Sequence, residues 1–174
     1  SLSGEVTKWK DEAMYNSIRF SPNGEYVMIT TVEKPFSYLV TYGRFPSKTV
    51  VYTKDGQKVE TLLEVPLIED LPKGFMAVRT GKRNFSWRSD KPSSLIYVEA
   101  LDGGDPAAKV THRDEVFQLE APFNGTGKSL VKTINRYAGM SWANENVAIV
   151  YDRWWNTRNT KTYVFNPSDA SVLP

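Results

Sequence analysis

The chain has 174 residues, a formal net charge of +2 and no cysteine. This length suits one domain or a piece of a larger protein, since domains commonly have roughly 100 to 200 residues. The lack of cysteine excludes disulfide scaffolds, thiolate zinc sites and cysteine nucleophiles, and the interspersed charges require no polyanionic partner. Valine, isoleucine, threonine and the aromatic residues form about a third of the chain, which favours strands over helices.

Two hairpins are predicted in the N-terminal part of the chain. Residues 18–33 carry an apolar strand on each side of Asn23-Gly24, and Asn-Gly between such runs is a strong hairpin signal because both residues tolerate positive φ. Asp55-Gly56 predicts a second tight turn. Further strands are predicted after the first hairpin, over residues 38–42, 49–53 and 58–63. Residues 64–82 contain an apolar run that is broken by Pro66, Pro72 and Gly74, so they predict an ordered crossover rather than a helix.

The strand-and-turn pattern then returns twice. Residues 84–100 repeat the first hairpin and are followed by a polar loop and strand candidates at 115–120 and 129–133, and a third copy occupies residues 139–155 and 161–169. The aromatic residues aligned between the copies are spaced by 67 and 55 residues: Phe20, Trp87 and Trp142. Such repeats with turn chemistry fit β-propeller blades with loop insertions better than a helical solenoid, and a β-sandwich stays open as the alternative.

The predicted fold is therefore all-β: a partial β-propeller of about two and a half blades of antiparallel strands. We treat residues 1–174 as a single propeller fragment with blade-like units at about 13–66, 83–134 and 136–170. One small sheet cannot bury both of its faces, so the blades should stack face to face. The end blades should then expose apolar faces and strand edges, and we expect the isolated segment to self-associate.

Two motifs imitate catalytic or nucleotide-binding sequences. Residues 139–143 nearly match the G-x-S-x-G nucleophile elbow, but they end in Ala143 and precede a strand rather than a helix. Residues 124–129 resemble the end of a P-loop, but Pro122 stands where the first glycine is needed. We interpret the first motif as a strand that enters a turn and the second as a hairpin turn.

No metal, cofactor or catalytic residue is assigned. Asp102 and Asp105 supply fewer oxygen ligands than calcium needs, and we expect them to lie in a solvated loop. His112 has no evident nucleophile beside it, which indicates a surface position.

The densest functional hint is a group of aromatic and cationic residues in the third repeat. Arg153, Trp154, Trp155 and Arg158 are candidates for substrate contact, with Lys161 close by in the sequence. Aromatic side chains can stack on planar ligands, and the cations beside them can pair with carboxylates. The same residues could instead pack between blades, with arginine stems over indole faces. The alternation of side chains along a strand favours this alternative, since it makes adjacent residues point to opposite faces.

The repeat sequences also carry a family resemblance over nearly the whole chain. IRFSPNGEYVMITTVE resembles the Ser-Pro-Asp-Gly repeat of propellers in TolB-like proteins and in the prolyl oligopeptidase family of serine peptidases. EKPFSYLVTYGRFP, VEALDGGDP and YDRWWNTRNTKTYVFNPSD resemble, more specifically, the propeller of its glutamyl-endopeptidase-like branch. In that family a propeller caps a C-terminal α/β-hydrolase domain with the Ser, Asp and His triad, and it restricts which peptides enter.

The resemblance implies a non-catalytic segment of a serine endopeptidase or aminopeptidase. Such a segment would gate peptide substrates and dock on the hydrolase domain of its parent. No triad position is present in this sequence, so we expect this chain to be inactive alone, with no cofactor and no nucleic-acid or membrane partner. The resemblance also suggests a periplasmic or secreted location. A stand-alone carbohydrate- or protein-binding module is the alternative function.

Overall fold

The computed structural model describes Gly4 and residues 8–169. In this part of the chain the structure is all-β, with eleven strands in three antiparallel sheets and no α-helix. No helix in the described residues is long and apolar enough to cross a membrane. Contacts divide the chain into two compact units, one containing Gly24–Ile68 and the other containing everything described from Glu69 onward.

The first unit contains one meander sheet of four strands. They are β1 (Met14–Phe20), β2 (Tyr26–Val32), β3 (Ser47–Thr53) and β4 (Lys58–Val65), and each pairs with the next. The buried residues lie mainly on the two central strands: Val27, Met28, Ile29, Val50 and Val51. β1 is an edge strand whose outer residues stay exposed, including Phe20 at 63%.

The prediction of a strand over residues 38–42 is wrong. This part of the chain forms bends and leads into a 3-10 turn over Tyr42–Arg44, closed by a hydrogen bond from the Arg44 amide to the Thr41 carbonyl. β2 already pairs with β1 on one side and β3 on the other, so the connecting segment has no neighbouring position in the sheet interior. Its β-prone residues Tyr38 and Leu39 project into solvent instead.

The second unit contains two sheets. A four-stranded meander consists of β5 (Arg83–Trp87), β6 (Leu95–Ala100), β7 (Asp114–Leu119) and β8 (Lys128–Thr133). A three-stranded meander consists of β9 (Arg136–Asn144), β10 (Val147–Trp154) and β11 (Asn159–Phe165).

One apolar core is shared by these two sheets. The four-stranded sheet contributes Ile96, Val98, Val116, Leu130 and Val131, and the three-stranded sheet contributes Ala148, Val150 and Phe165. Full burial of a Val, Leu, Ile or Phe side chain stabilises a fold by about 1.5–3 kcal/mol. This core holds the faces of the two sheets together.

The predicted fold class is confirmed. Successive antiparallel sheets of four, four and three strands are consistent with a partial β-propeller that is not closed. The turn glycines predicted from Asn23-Gly24 and Asp55-Gly56 have φ of 73° and 88°. The blade limits at about 13–66, 83–134 and 136–170 stay a prediction of domain organisation.

Both imitation motifs lie in β structure. Residues 139–143 are inside β9, and no helix follows them. Residues 124–129 form the end of the β7–β8 connection and the start of β8, which pairs antiparallel with β7. The backbone therefore offers neither a nucleophile elbow nor a phosphate-binding helix N-terminus at these places.

The crossover, residues 64–82, passes very close to the loop after β6. The Val78 amide donates a hydrogen bond to the Gly104 carbonyl at 3.1 Å. A Cβ at Gly104 would lie 1.9 Å from the Val78 carbonyl oxygen, and Gly104 has φ of 79°. This approach therefore requires glycine for two separate reasons, space and backbone conformation.

We predict that Gly104→Ala lowers the free energy of unfolding by about 3 kcal/mol or more, because it combines left-handed strain with a main-chain clash. Gly103→Ala is the matched control, since Gly103 has φ of 65° but open space around its Cβ position. The control should cost only about 1–2 kcal/mol. Urea unfolding measures both variants, and equal losses would show that Val78 does not constrain this loop.

Candidate functional site

The candidate substrate-contact residues lie on the β10–β11 hairpin. Arg153 and Trp154 end β10 and pair with Thr160 and Asn159 of β11. The Arg158 amide closes the turn by donating to the Trp155 carbonyl at 3.2 Å, and Arg158 has φ of 59°. The tight turn therefore returns the Arg158 side chain toward the residues that precede it.

The two tryptophans do not form one surface. Trp154 contacts the guanidinium of Arg113, whose carbon lies 4.0 Å from the ring centroid. Trp155 instead contacts Arg158 at 3.7 Å and Arg153 at 5.5 Å. Trp154 is the last residue of β10 and Trp155 is the first residue of the turn, so their side chains contact different parts of the structure.

A small aromatic and cationic cluster forms around Trp155. Phe75 lies 5.4 Å from Trp155 between ring centroids and is 83% exposed. Arg153 and Arg158 are also exposed, and neither has a carboxylate partner among the described residues. We call Phe75, Arg153, Trp155 and Arg158 the Trp155 cluster. It presents two guanidinium groups and two aromatic faces, which suit a planar, negatively charged group.

The structure thus joins three of the four predicted residues and separates Trp154 from them. Phe75 is a member that sequence reasoning missed, because it comes from the crossover some eighty residues earlier. The sequence offers no local signal for it, because Phe75 begins the apolar run FMAV and nothing distinguishes it from its neighbours. The packing of arginines over indole faces occurs here as well, on both tryptophans.

A buried chain of charges lies behind Trp154. Arg113 pairs with Asp102 at 2.7 Å, and Arg136 pairs with Asp102 at 2.8 Å and with Asp114 at 3.0 Å. Arg83 contacts the same oxygen of Asp114. The order is Arg113, Asp102, Arg136, Asp114, Arg83, and we call it the arginine–aspartate chain.

The expectation that Asp102 lies in a solvated loop is wrong. Its carboxylate is fully buried and accepts hydrogen bonds from two arginines and from the Gly104 amide at 2.9 Å. Burial alone would raise the pKa of Asp102, but the hydrogen bonds from Arg136 and Arg113 outweigh it and lower the pKa below its usual value. The sequence could not show this, because both arginines are distant from Asp102 along the chain.

A second carboxylate anchors the hairpin strand itself. Asp152, fully buried in β10, accepts hydrogen bonds from the Asn135 amide and side chain at 2.9 Å each and from the Tyr163 hydroxyl at 3.2 Å. Burial, followed by the charge and hydrogen bond of Asp152, raises the pKa of Tyr163 to about 12. These buried contacts therefore hold β10 and β11 in place close to the exposed turn of the hairpin.

Another buried arginine contacts the opposite end of β7. Arg88 forms a bidentate pair with Asp90, at 3.0 and 2.6 Å, and also donates to the Gln118 side chain. Its guanidinium stacks on Trp142 of the three-stranded sheet at 4.1 Å. Charged groups therefore join the two sheets at both ends of their apolar core.

The remaining candidates do not assemble into a catalytic group. His112 is half-buried and contacts the Thr111 hydroxyl at 3.2 Å, whereas the Ser141 hydroxyl lies 3.5 Å from that of Tyr151. Residues 8–169 and Gly4 contain no group of three or more His, Asp or Glu side chains arranged to hold a metal ion.

Comparison with known proteins relates this chain to two plant proteins. It is 42% identical over 176 residues to a probable chloroplastic glutamyl endopeptidase of Oryza sativa subsp. japonica. It is 39% identical to the protein of the same name from Arabidopsis thaliana. Both matches cover all of this chain but only 19% and 18% of the relatives. Neither a protein-family model nor a solved structure matches the chain.

The chain therefore spans about a fifth of the length of the curated relatives it matches, and it is similar to a segment of proteins named as peptidases. The expected periplasmic or secreted location is wrong, because both relatives are named chloroplastic. That expectation had no support in residue chemistry, since a chain without cysteine leaves the compartment open.

We predict that Asp102→Asn destabilises the chain by about 3–5 kcal/mol, because it leaves Arg113 and Arg136 buried without their shared counter-charge. Since the pKa of Asp102 is lowered in the folded state, its stabilising effect is complete above the unfolded pKa of about 4 and is lost as pH falls through the lower, folded value. Urea unfolding from pH 7 to pH 3 checks both statements. If the variant keeps the acid sensitivity of the native chain unchanged, Asp102 does not supply it.

Proposed function

We propose that this chain is a non-catalytic segment of a glutamyl-endopeptidase-like serine peptidase, and that it gates peptide access to a separate α/β-hydrolase domain on which it docks. The similarity of the whole chain to one fifth of peptidase-named relatives is the observation that carries this proposal. The fold agrees with it, since successive antiparallel sheets in the described residues are consistent with the partial β-propeller expected of such a segment.

In this proposal the Trp155 cluster contacts the acidic groups of peptide substrates. Arg153 and Arg158 carry two positive charges beside one indole face, and both stay exposed without a carboxylate partner among the described residues. Guanidinium groups bind carboxylates through paired hydrogen bonds, and a rigid neighbouring ring limits the conformational entropy lost on binding. The buried contacts of Asp152 supply that rigidity.

We predict that the chain binds a short blocked glutamate-containing peptide and that Arg158→Gln weakens the binding by about fivefold, the effect of one exposed charged hydrogen bond. The glutamine analogue of the peptide should bind less well than the glutamate form. Lys109→Gln is the matched control, because Lys109 is exposed and its replacement removes the same charge. Fluorescence titration of the tryptophans measures the affinities. Equal weakening by both variants would assign the effect to net charge rather than to the Trp155 cluster.

The second part of the proposal concerns surfaces that other parts of a peptidase would cover. A closed propeller has about four to eight blades, whereas the described part of this chain supplies three sheets, one of which has three strands. Ile18 and Phe20 of the edge strand β1 are more than half exposed. Exposed apolar residues and unpaired edges favour association with another chain.

We predict that the isolated segment self-associates at micromolar concentration, either by stacking of end faces or by exchange of residues 139–169 between chains. The alternative is that the crossover covers an apolar face and keeps the segment monomeric. Sedimentation velocity and binding of a dye specific for apolar surfaces distinguish the two. A monomer with low dye binding would contradict the prediction.

A further inference from the structure

Positive charge exceeds negative charge around the start of β5. The arginine–aspartate chain contains three arginines and two aspartates, and it ends at Arg83. Arg79 and Lys82 lie immediately before Arg83 in the sequence RTGKR. Among the described residues, Asp102 and Asp114 are the carboxylates that form ion pairs with any of these five cationic side chains.

Neither of the two additional cations has a carboxylate partner among the described residues. Arg79 donates to the main-chain carbonyls of Thr80 and Lys82. The Lys82 ammonium contacts the Gly125 carbonyl at 3.4 Å and lies 4.8 Å from the centre of the Tyr97 ring. Carbonyls and an aromatic face stabilise a cation but do not neutralise it.

Buried hydrogen-bond donors at the same place are left without acceptors. Arg83 is 7% exposed and Arg136 is 3% exposed. The Arg83 Nε and the Arg136 Nη2 are buried and have no hydrogen-bond partner among the described residues. Buried polar groups in proteins almost always have a partner, and an orphaned group commonly marks an absent water or ion. For a guanidinium beside other guanidiniums, an anion is the better partner, because it also removes like-charge repulsion.

The interaction between Arg79 and Arg83 agrees with this interpretation. Burial lowers the pKa of Arg79, and the positive charge of Arg83 lowers it further. Arg79 also donates to the Lys82 carbonyl, so its guanidinium lies against the peptide bond that joins Lys82 to Arg83. Arg79 is only half-buried, so its guanidinium stays accessible to an anion.

We propose that Arg79 and Arg83 form a carboxylate-binding site, separate from the Trp155 cluster, with Lys82 at its margin. The planar guanidinium groups match the paired oxygens of a carboxylate better than a spherical halide. The carboxylate is supplied by an aspartate or glutamate side chain outside this segment or by a free carboxylic acid. Its binding continues the alternation of charges in the arginine–aspartate chain by one more negative group.

Sodium formate is the probe, since it presents the carboxylate alone. At a concentration about ten times its Kd, formate should raise the Tm of the native chain by about 3–5 °C and then saturate. Arg79→Gln should abolish this rise, and Lys109→Gln, which removes one exposed charge elsewhere, should keep it. The same comparison is made in proteins that also carry Arg158→Gln, which weakens carboxylate binding at the Trp155 cluster, and calorimetric titration of formate into that background at low ionic strength gives a second readout.

Three results would overturn the proposal. If formate raises Tm equally in all three proteins, the effect is general screening of positive charge. If formate neither raises Tm nor releases heat, water satisfies the buried donors. If sodium chloride is as effective as formate at equal concentration, the site does not select a carboxylate. A glutamate-containing peptide and an isolated formate ion, compared in the Arg158→Gln background with and without Arg79→Gln, then separate a side-chain source from a free acid. Only a side-chain source gains affinity from neighbouring peptide contacts, and only binding at this site is lost with Arg79→Gln.

Discussion

Arg136, the first residue of β9, makes the contacts on which the second unit depends. Its guanidinium donates to Asp102 and Asp114, and its Nε donates to the Met76 carbonyl at 2.8 Å. One side chain therefore joins the crossover, the loop after β6, the start of β7 and the three-stranded sheet. A buried ion pair alone adds little net stability, but removal of one partner costs several kcal/mol because the other charge stays buried. The contribution of Arg136 is thus to specify which loop lies against which sheet.

The apolar core and the charged groups have different effects. Side chains such as Val98, Val116 and Val150 hold the two sheets of the second unit face to face, but aliphatic contacts permit small displacements between them. Arg136 restrains such displacement at one end of β7 through its hydrogen bond to Asp114, and Arg88 does so at the other end through its stacking on Trp142, because both contacts join the two sheets in a defined geometry. The exposed β10–β11 hairpin extends from this frame. The gating role proposed for this chain relies on this combination of a rigid support and an exposed, charged tip.

The two tryptophans illustrate how adjacent residues acquire different tasks. Trp154 packs on Arg113 and so belongs to the buried arginine–aspartate chain, whereas Trp155 belongs to an exposed surface with Arg158 and Phe75. Substitution of either residue would alter tryptophan fluorescence, but only Trp154 is coupled to Asp102 through its arginine. The surplus of cations near β5 lies in the same unit. Arginine therefore holds sheets together in this protein, and the proposed carboxylate sites use the same side chain at the surface.

The sequence by itself determined the all-β class, most strands and the tight turns, because alternating apolar residues and Asn-Gly or Asp-Gly pairs act over a few neighbouring residues. It also determined the similarity to peptidases, and it placed Arg153, Trp155 and Arg158 within one repeat. Only the tertiary structure decided that residues 38–42 lack a strand partner, that Asp102 is buried and that Phe75 joins Trp155. Each of these depends on groups far apart in the chain, and no local pattern records which distant side chain will supply a hydrogen bond, a counter-charge or a packing face.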